Sequence, residues 1–186
     1  MSNEVNATKA NEAPTRLADG TYQPVLTVSD LDRCGRRWML GASIYNYESQ
    51  CAPAVMFATE PALRKIYAGD EEGYRRSLLS TYRYYNATPQ VSGLLLGAGL
   101  ALEDKGHNDA IDAVQDLKIG LMGPLSGVGD TIFAILIPTI FGSIAAYMGQ
   151  AGNPVGVLLW LAVAIAIFVW KLFDWRIGYK FGDKLF

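Results

Sequence analysis

The chain has 186 residues, enough for one domain, and 51% of them are hydrophobic. Its 16 Lys and Arg and 18 Asp and Glu give a net charge of -2, so it lacks the overall basic charge that nucleic-acid binding requires. The two cysteines, Cys34 and Cys51, are too few and too isolated for a zinc site or a disulfide framework. We expect both to be buried or incidental thiols.

Residues 1–25 are rich in Asn, Ala, Thr and Glu and contain no apolar core. We expect a flexible tail that is neither a signal peptide nor an anchor. Order is expected from residue 26, because Thr27, Ser29 and Asp30 are all plausible caps for a helix that starts at Leu31.

Residues 26–118 are predicted to form interfacial and re-entrant helices. The first helix carries several Arg residues on its opening turns and Trp38 further along, a pattern typical of a membrane interface. A second, Arg- and Tyr-rich helix is predicted over 71–85, although such a helix is more often a solvated face.

An uncharged run over 91–102 is too short to cross a bilayer, so we expect a re-entrant or packed hairpin arm. Gly93 and Gly97 would let another backbone approach it closely. The charged stretch that follows predicts a helix over 103–118, with the lone His107 on its surface.

Residues 119–130 contain four glycines and a proline, which do not form a stable regular helix in isolation. We therefore predict that the chain turns there. The stretch has no Lys-Ser/Thr of a phosphate-binding loop and no GxGxxG pattern. Its last four residues match the GxGD motif of intramembrane aspartyl proteases, but that chemistry needs two adjacent carboxylates. Only Asp174 offers a second carboxylate near an apolar span, so a protease is a weak rival hypothesis.

From Thr131 through Trp170 the sequence has no Asp, Glu, Lys, Arg or His. We predict a hydrophobic hairpin over 131–175 that is inserted in a membrane, with its turn at 149–154. The tryptophans of its second arm, Trp160 and Trp170 among them, are suited to anchoring at the interface. Basic residues after this hairpin favour a cytoplasmic C-terminal end.

Residues 43–50 combine the side-chain types that recognise a neutral sugar. Amides and carboxylates take its hydroxyls, and an aromatic ring covers its apolar face. Asn46, Glu48 and Tyr45 supply these types, yet in a regular helix residues two apart point in different directions. A structural role, with Asn46 and Glu48 capping or pairing internally, is an equal alternative.

Five blocks of the sequence resemble one known family. They are Leu26-Thr-Val-Ser-Asp30, Ser43-Ile-Tyr-Asn-Tyr-Glu48, Tyr85-Asn-Ala-Thr-Pro89, Leu96-Gly-Ala-Gly-Leu-Ala-Leu-Glu103 and Ile119-Gly-Leu-Met-Gly-Pro-Leu-Ser-Gly-Val-Gly-Asp130. In this order they are similar to the IID component of the mannose/fructose/sorbose family of the sugar phosphotransferase system. The resemblance covers about residues 26–186, and the last block is its most specific part.

The sequence departs from the family pattern at two places. Glu48 is followed by Ser49-Gln50-Cys51 instead of Arg-Met-Gln, and Thr88 stands where the family has His. Members usually continue well beyond a segment like 176–180, so we expect this chain to be a partial or short form.

The resemblance implies an all-α, multi-pass integral membrane protein of the bacterial cytoplasmic membrane. It implies a IIC membrane partner, cytoplasmic IIA and IIB components, a hexose substrate, contact with lipid and a higher-order oligomer of IIC-IID pairs. Phosphoryl transfer would lie in the other subunits, so we expect no catalytic residue, metal or cofactor here. The main alternative is a non-transporting scaffold or a receptor surface for bacteriocins or phage.

The resemblance also suggests which residues act. We expect Asn46, Glu48, Asn86 and Tyr45 to contact the sugar. A translocation or partner-contact loop is expected at Gly123, Pro124, Gly127, Gly129 and Asp130.

Overall fold

The computed structural model describes residues 14–41 and 43–184, and it confirms the all-α prediction for them. Seven α-helices lie in these residues: α1 (Val28–Gly41), α2 (Ala52–Ile66), α3 (Glu71–Thr81), α4 (Ser92–Gly106), α5 (Ile111–Gly129), α6 (Ile137–Gln150) and α7 (Val155–Gly182). A short 3-10 helix, His107–Ala110, separates α4 from α5, so the predicted helix over 103–118 is interrupted. A π-helical segment, Asp130–Leu136, joins α5 to α6.

Helix α1 begins at Val28 and not at the predicted Leu31, directly after Thr27, which is one of its three predicted caps. The Thr27 amide and hydroxyl both donate to Asp30 Oδ2, at 2.7 and 2.6 Å. In return the Asp30 amide donates to Thr27 Oγ1 at 3.4 Å, and this reciprocal bonding satisfies groups that an uncapped helix end leaves unpaired. The same Asp30 oxygen accepts from Lys65 Nζ at 2.7 Å, so the cap also ties α1 to α2.

The turn predicted over 119–130 is wrong, because this stretch is helical throughout. From Ile111 to Gln150 the chain runs as one continuous 40-residue helix, with Pro124 inside it. Glycine and proline propensities are measured in water, where an opened backbone is solvated. In an apolar setting every backbone N–H and C=O must be paired internally, which favours the helix despite its glycines.

Helices α4 and α7 pack with their backbones in direct contact. A Cβ built on Gly97 would lie 2.4 Å from Trp175 O, and one built on Gly178 would lie 2.2 Å from Leu94 O. The predicted close approach of another backbone is therefore confirmed at Gly97, whereas a Cβ on Gly93 would meet the Asp174 carboxylate. The largest fully buried side chains around the bundle include Trp38, Trp175, Tyr85, Leu63 and Ile66.

The long α5–α6 helix and α7 leave most of their apolar side chains exposed. Each is long and apolar enough to cross a membrane, yet only 6% of its most apolar 18-residue stretch is buried in the fold. Leu158 is 59% exposed and Phe168 55% exposed. The core helix of a water-soluble protein would be covered by its own fold, so these two surfaces require lipid or another apolar partner.

The predicted flexible tail does not extend to residues 14–25, which fold back on the end of α4. The amides of Val25 and Leu26 donate to Asp104 at 2.9 and 3.0 Å, and the Tyr22 amide donates to Lys105 O at 2.8 Å. Residues 1–13 lie outside the described part of the chain.

Both cysteines agree with their predicted roles. Cys34 is buried in α1, and burial raises the pKa of its thiol to about 12, so it stays protonated. Cys51 is half-buried just before α2, and neither forms a disulfide in the described structure.

Candidate functional site

The two segments predicted to hold a sugar lie side by side. Residues 43–50 form a turn instead of a regular helix, and Gln50 sits in the left-handed region at φ 57°. The Cys51 amide donates to Tyr85 O at 2.9 Å, and the Tyr85 amide donates to Ser49 O at 3.3 Å. The objection that residues two apart in a regular helix point in different directions therefore does not apply to this segment.

The four candidate side chains differ in how much of their hydrogen-bonding capacity is already used. Asn46 Oδ1 accepts from the Ser49 amide at 2.7 Å and from its hydroxyl at 3.0 Å, so the structural alternative holds for this oxygen. The Tyr45 hydroxyl donates to Gln50 Oε1. Glu48 and Asn86 are exposed.

The linker between α3 and α4 is held from three other helices. Trp38 Nε1 of α1 donates to Pro89 O at 3.1 Å, and Trp170 Nε1 of α7 donates to Gln90 O at 2.8 Å. The Thr88 hydroxyl lies 2.7 Å from Asp130 Oδ1, just beyond α5. The Thr88 side chain and the carbonyl groups of Pro89 and Gln90 thus anchor the linker directly after the segment that carries Asn86.

The five residues of the predicted partner loop divide between two faces of the long helix. Gly129 packs on the linker, because a Cβ there would lie 2.5 Å from Thr88 Oγ1, and Asp130 accepts from Thr88 and Ser126. The other three residues, Gly123, Pro124 and Gly127, face outward. A Cβ on Gly123 or Gly127 would meet nothing within 4 Å. A glycine-lined outer face is suited to close packing of a neighbouring helix.

A buried polar cluster between α2, α3 and α4 escaped the sequence reasoning. Glu103 is 2% exposed, and its Oε2 accepts from Tyr67 at 2.9 Å and Ser77 at 2.5 Å. Burial raises the pKa of the Glu103 carboxyl, against the lowering effect of these two hydrogen bonds. Buried Lys118 of α5 is bonded to Ser80 O at 3.3 Å. Glu103 and Lys118 both line a cavity of about 20 Å³, which has room for roughly one water molecule.

Asp174 acts as an interhelical cap. It is fully buried, and its Oδ2 accepts from the Gly93 amide of α4 at 3.1 Å. Asp130 is held instead by Thr88 and Ser126, and no hydrogen bond joins the two carboxylates within residues 14–41 and 43–184. This arrangement lacks the shared proton of an aspartyl protease dyad.

The prediction that His107 lies on the surface is wrong. Its ring is 5% exposed and stacks on Tyr22, with 3.7 Å between ring centroids, while the Tyr67 ring meets it edge-on at 5.3 Å. Burial lowers the pKa of His107, and the nearby carboxylates of Asp104 and Asp70 oppose that shift. Part of the cover over this ring comes from residues 14–25, which place Tyr22 on it, and no local pattern around His107 indicates that fold-back.

A helical bundle that carries two long, exposed, apolar helices defines a helical membrane protein. The family model "PTS system mannose/fructose/sorbose family IID component" matches residues 25–186. The chain therefore belongs to the IID components of this phosphotransferase family.

Individual relatives agree with this assignment. The mannose-specific EIID component of Escherichia coli is 34% identical over 142 residues, covering 75% of this chain and 50% of that protein. The fructose permease IID component of Bacillus subtilis is 31% identical over 152 residues, and the match covers 80% of this chain and 54% of that protein. The chain thus spans about half the length of these curated relatives.

A solved structure shares the fold. The cryo-EM structure of the mannose transporter ManYZ in complex with a microcin superimposes with a TM-score of 0.77 at 28% identity. The match covers 87% of this chain and 61% of that one.

Proposed function

We propose that this chain works with a IIC partner to bind a hexose and pass it across the bacterial cytoplasmic membrane. Cytoplasmic IIA and IIB components would then phosphorylate the sugar, so this chain itself would carry no catalytic group. Family membership supports the transport role. The structural observation that supports a sugar site is the pairing of the 43–50 turn with Tyr85, beside exposed Glu48 and Asn86.

The chemistry of this site suits a neutral sugar. A carboxylate at Glu48 accepts hydrogen bonds from hydroxyls, and the Asn86 amide both donates and accepts. Tyr45 is 57% exposed and Tyr47 95% exposed, so aromatic faces are available beside them. We assign Asn46 to the same site, with its oxygen shaping the turn and its amide NH₂ facing the ligand.

The exposed apolar surfaces suit a membrane location and a membrane partner. We propose that α5–α6 and α7 both cross the bilayer and that α4 forms the re-entrant arm beside them. The outward face at Gly123, Pro124 and Gly127 would contact IIC, and the remaining apolar surface would contact lipid. Repetition of IIC-IID pairs would give a higher-order oligomer.

The test measures uptake of labelled mannose, fructose and sorbose by cells that express the chain with its IIC, IIA and IIB components. Glu48→Ala, Asn46→Ala and Asn86→Ala are each expected to abolish uptake of the transported sugar while IIC still copurifies. The matched control is Glu72→Ala, because Glu72 is an exposed carboxylate that pairs with Arg75 on α3. Normal uptake by both the Glu48 and Asn46 variants would refute the site.

A second candidate is a non-transporting scaffold or a receptor surface for bacteriocins or phage. The observation that favours it is that the structurally similar transporter was solved with a microcin bound. Cells that gain microcin sensitivity but no sugar uptake when this chain is expressed with IIC would support that role over transport.

A further inference from the structure

The surface where α1 crosses α7 contains a small basic pocket that the sugar site does not use. Its volume is about 180 Å³, and it is lined by Asp32 and Arg36 of α1 and by Leu172, Phe173 and Arg176 of α7. Beneath it, Gly35 of α1 lies against α7: a Cβ there would make van der Waals contact with Trp175 Cδ1 at 3.4 Å and Leu172 O at 3.5 Å.

One guanidinium in this pocket is held in a fixed orientation. Arg176 Nε and Nη2 donate to the two carboxylate oxygens of Asp32 at 2.5 and 2.6 Å. The Arg176 guanidinium carbon also lies 4.9 Å from the centre of the Phe173 ring. A guanidinium fixed on two sides loses little side-chain entropy when a further anion binds to its remaining N–H groups.

The second guanidinium is available to a ligand. Arg36 is exposed, and it makes no ion pair with any residue in the described part of the chain. Two Arg against one Asp leave the pocket with a net positive charge. The pocket therefore has the charge and the donors for an anion such as a phosphate group.

The position of the pocket along α7 indicates which anion. The charge-free stretch of α7 ends at Trp170, and the pocket begins two residues later at Leu172. Immediately before it, Phe168 and Val169 are 55% and 44% exposed, and Phe173 inside it is 42% exposed. An apolar strip thus leads directly into a pair of guanidinium groups, as expected at the level of lipid head groups.

We propose that this pocket binds the phosphate of an anionic phospholipid, with Arg36 and Arg176 on the phosphate and an acyl chain along the Phe168–Phe173 side of α7. A zwitterionic lipid carries the same phosphate but adds a cationic group, which the two Arg residues repel. Free phosphate lacks the acyl chain that the apolar strip would hold. The pocket should therefore prefer an intact anionic lipid to both.

The experiment uses the full chain purified in detergent and measures retained lipid by native mass spectrometry. The protein is titrated with an equal mixture of phosphatidylglycerol and phosphatidylcholine, with and without inorganic phosphate. We expect selective retention of phosphatidylglycerol that inorganic phosphate does not displace. Arg36→Gln should weaken this retention about tenfold, since it removes a hydrogen bond to a charged group.

Arg75→Gln is the matched control, because it removes the same charge from an exposed Arg on α3, where Arg75 pairs with Glu72. It should retain phosphatidylglycerol like the wild type. Arg36 is exposed, so the variant is expected to fold normally, which its circular dichroism and unfolding midpoint will check. Equal retention of the two lipids, displacement by inorganic phosphate, or equal losses in both Arg variants would overturn the proposal.

Discussion

Substitution of Gly178 by Ala tests whether direct backbone contact holds α4 against α7. The new methyl carbon would lie 2.2 Å from Leu94 O and 2.7 Å from Gly93 O. Favourable contacts between heavy atoms lie near 3.5 Å, so the two helices would have to separate by about 1 Å. Backbone atoms cannot rotate aside as a flexible side chain can.

The magnitude follows from two opposing effects. Overpacking of this kind costs roughly 1–3 kcal/mol, and we expect the upper end because the obstacle is backbone. Ala is a better helix former than Gly by about 1 kcal/mol, which offsets part of that cost. The free energy of unfolding should therefore fall by about 2 kcal/mol. Gly97→Ala should behave alike, since its Cβ would lie 2.4 Å from Trp175 O.

The assay is chemical unfolding in detergent, followed by fluorescence of the buried tryptophans. Gly120→Ala and Gly123→Ala are matched controls, because a Cβ at either helical position meets nothing within 4 Å. These two variants should be as stable as the wild type or slightly more stable. A Gly178→Ala protein that unfolds at or above the wild-type midpoint would contradict the close-packing argument.

Two further outcomes are expected. Because burial lowers the pKa of His107, the unfolded state takes up a proton more readily, so stability should decrease as pH falls below the usual histidine pKa of about 6.5. His107→Gln should flatten that dependence, and equal slopes for variant and wild type would count against it. Thr88→Val removes the hydroxyl that lies 2.7 Å from Asp130 Oδ1 and should lower the unfolding free energy by about 1 kcal/mol, whereas Thr131→Val, which loses only a bond within its own helix, should change it less. Equal unfolding midpoints for these two threonine variants would refute a specific role for Thr88.

Much of the helical framework was predictable from local patterns. The Thr27 cap and the close backbone approach at Gly97 depend on a few neighbouring residues, and the structure agrees with both. The charge-free stretch from 131 to 170 also identified the exposed apolar helices, because a long run without charges has few alternatives to a membrane.

The features that sequence reasoning missed depend on distant parts of the chain or on the solvent. The glycines and the proline of residues 119–130 predict a turn by propensities measured in water, and these are outweighed in an apolar setting, where every backbone group must be paired internally. The burial of His107 requires Tyr22, and the capping role of Asp174 requires Gly93, 81 positions away. The side-chain types of the candidate sugar site can be read from the sequence. The turn at residues 43–50 and its pairing with Tyr85 cannot, because they depend on contacts between separate segments.

The π-helical segment Asp130–Leu136 has a consequence for any helix that lies along 111–150. A π turn takes in one residue more than an α turn, so the side chains beyond it are rotated relative to those before it. A straight helix packed on Gly123 and Gly127 would therefore contact other side chains of α6 than a regular 3.6-residue repeat would present to it. The spacing of its contact residues should shift where it passes residue 130.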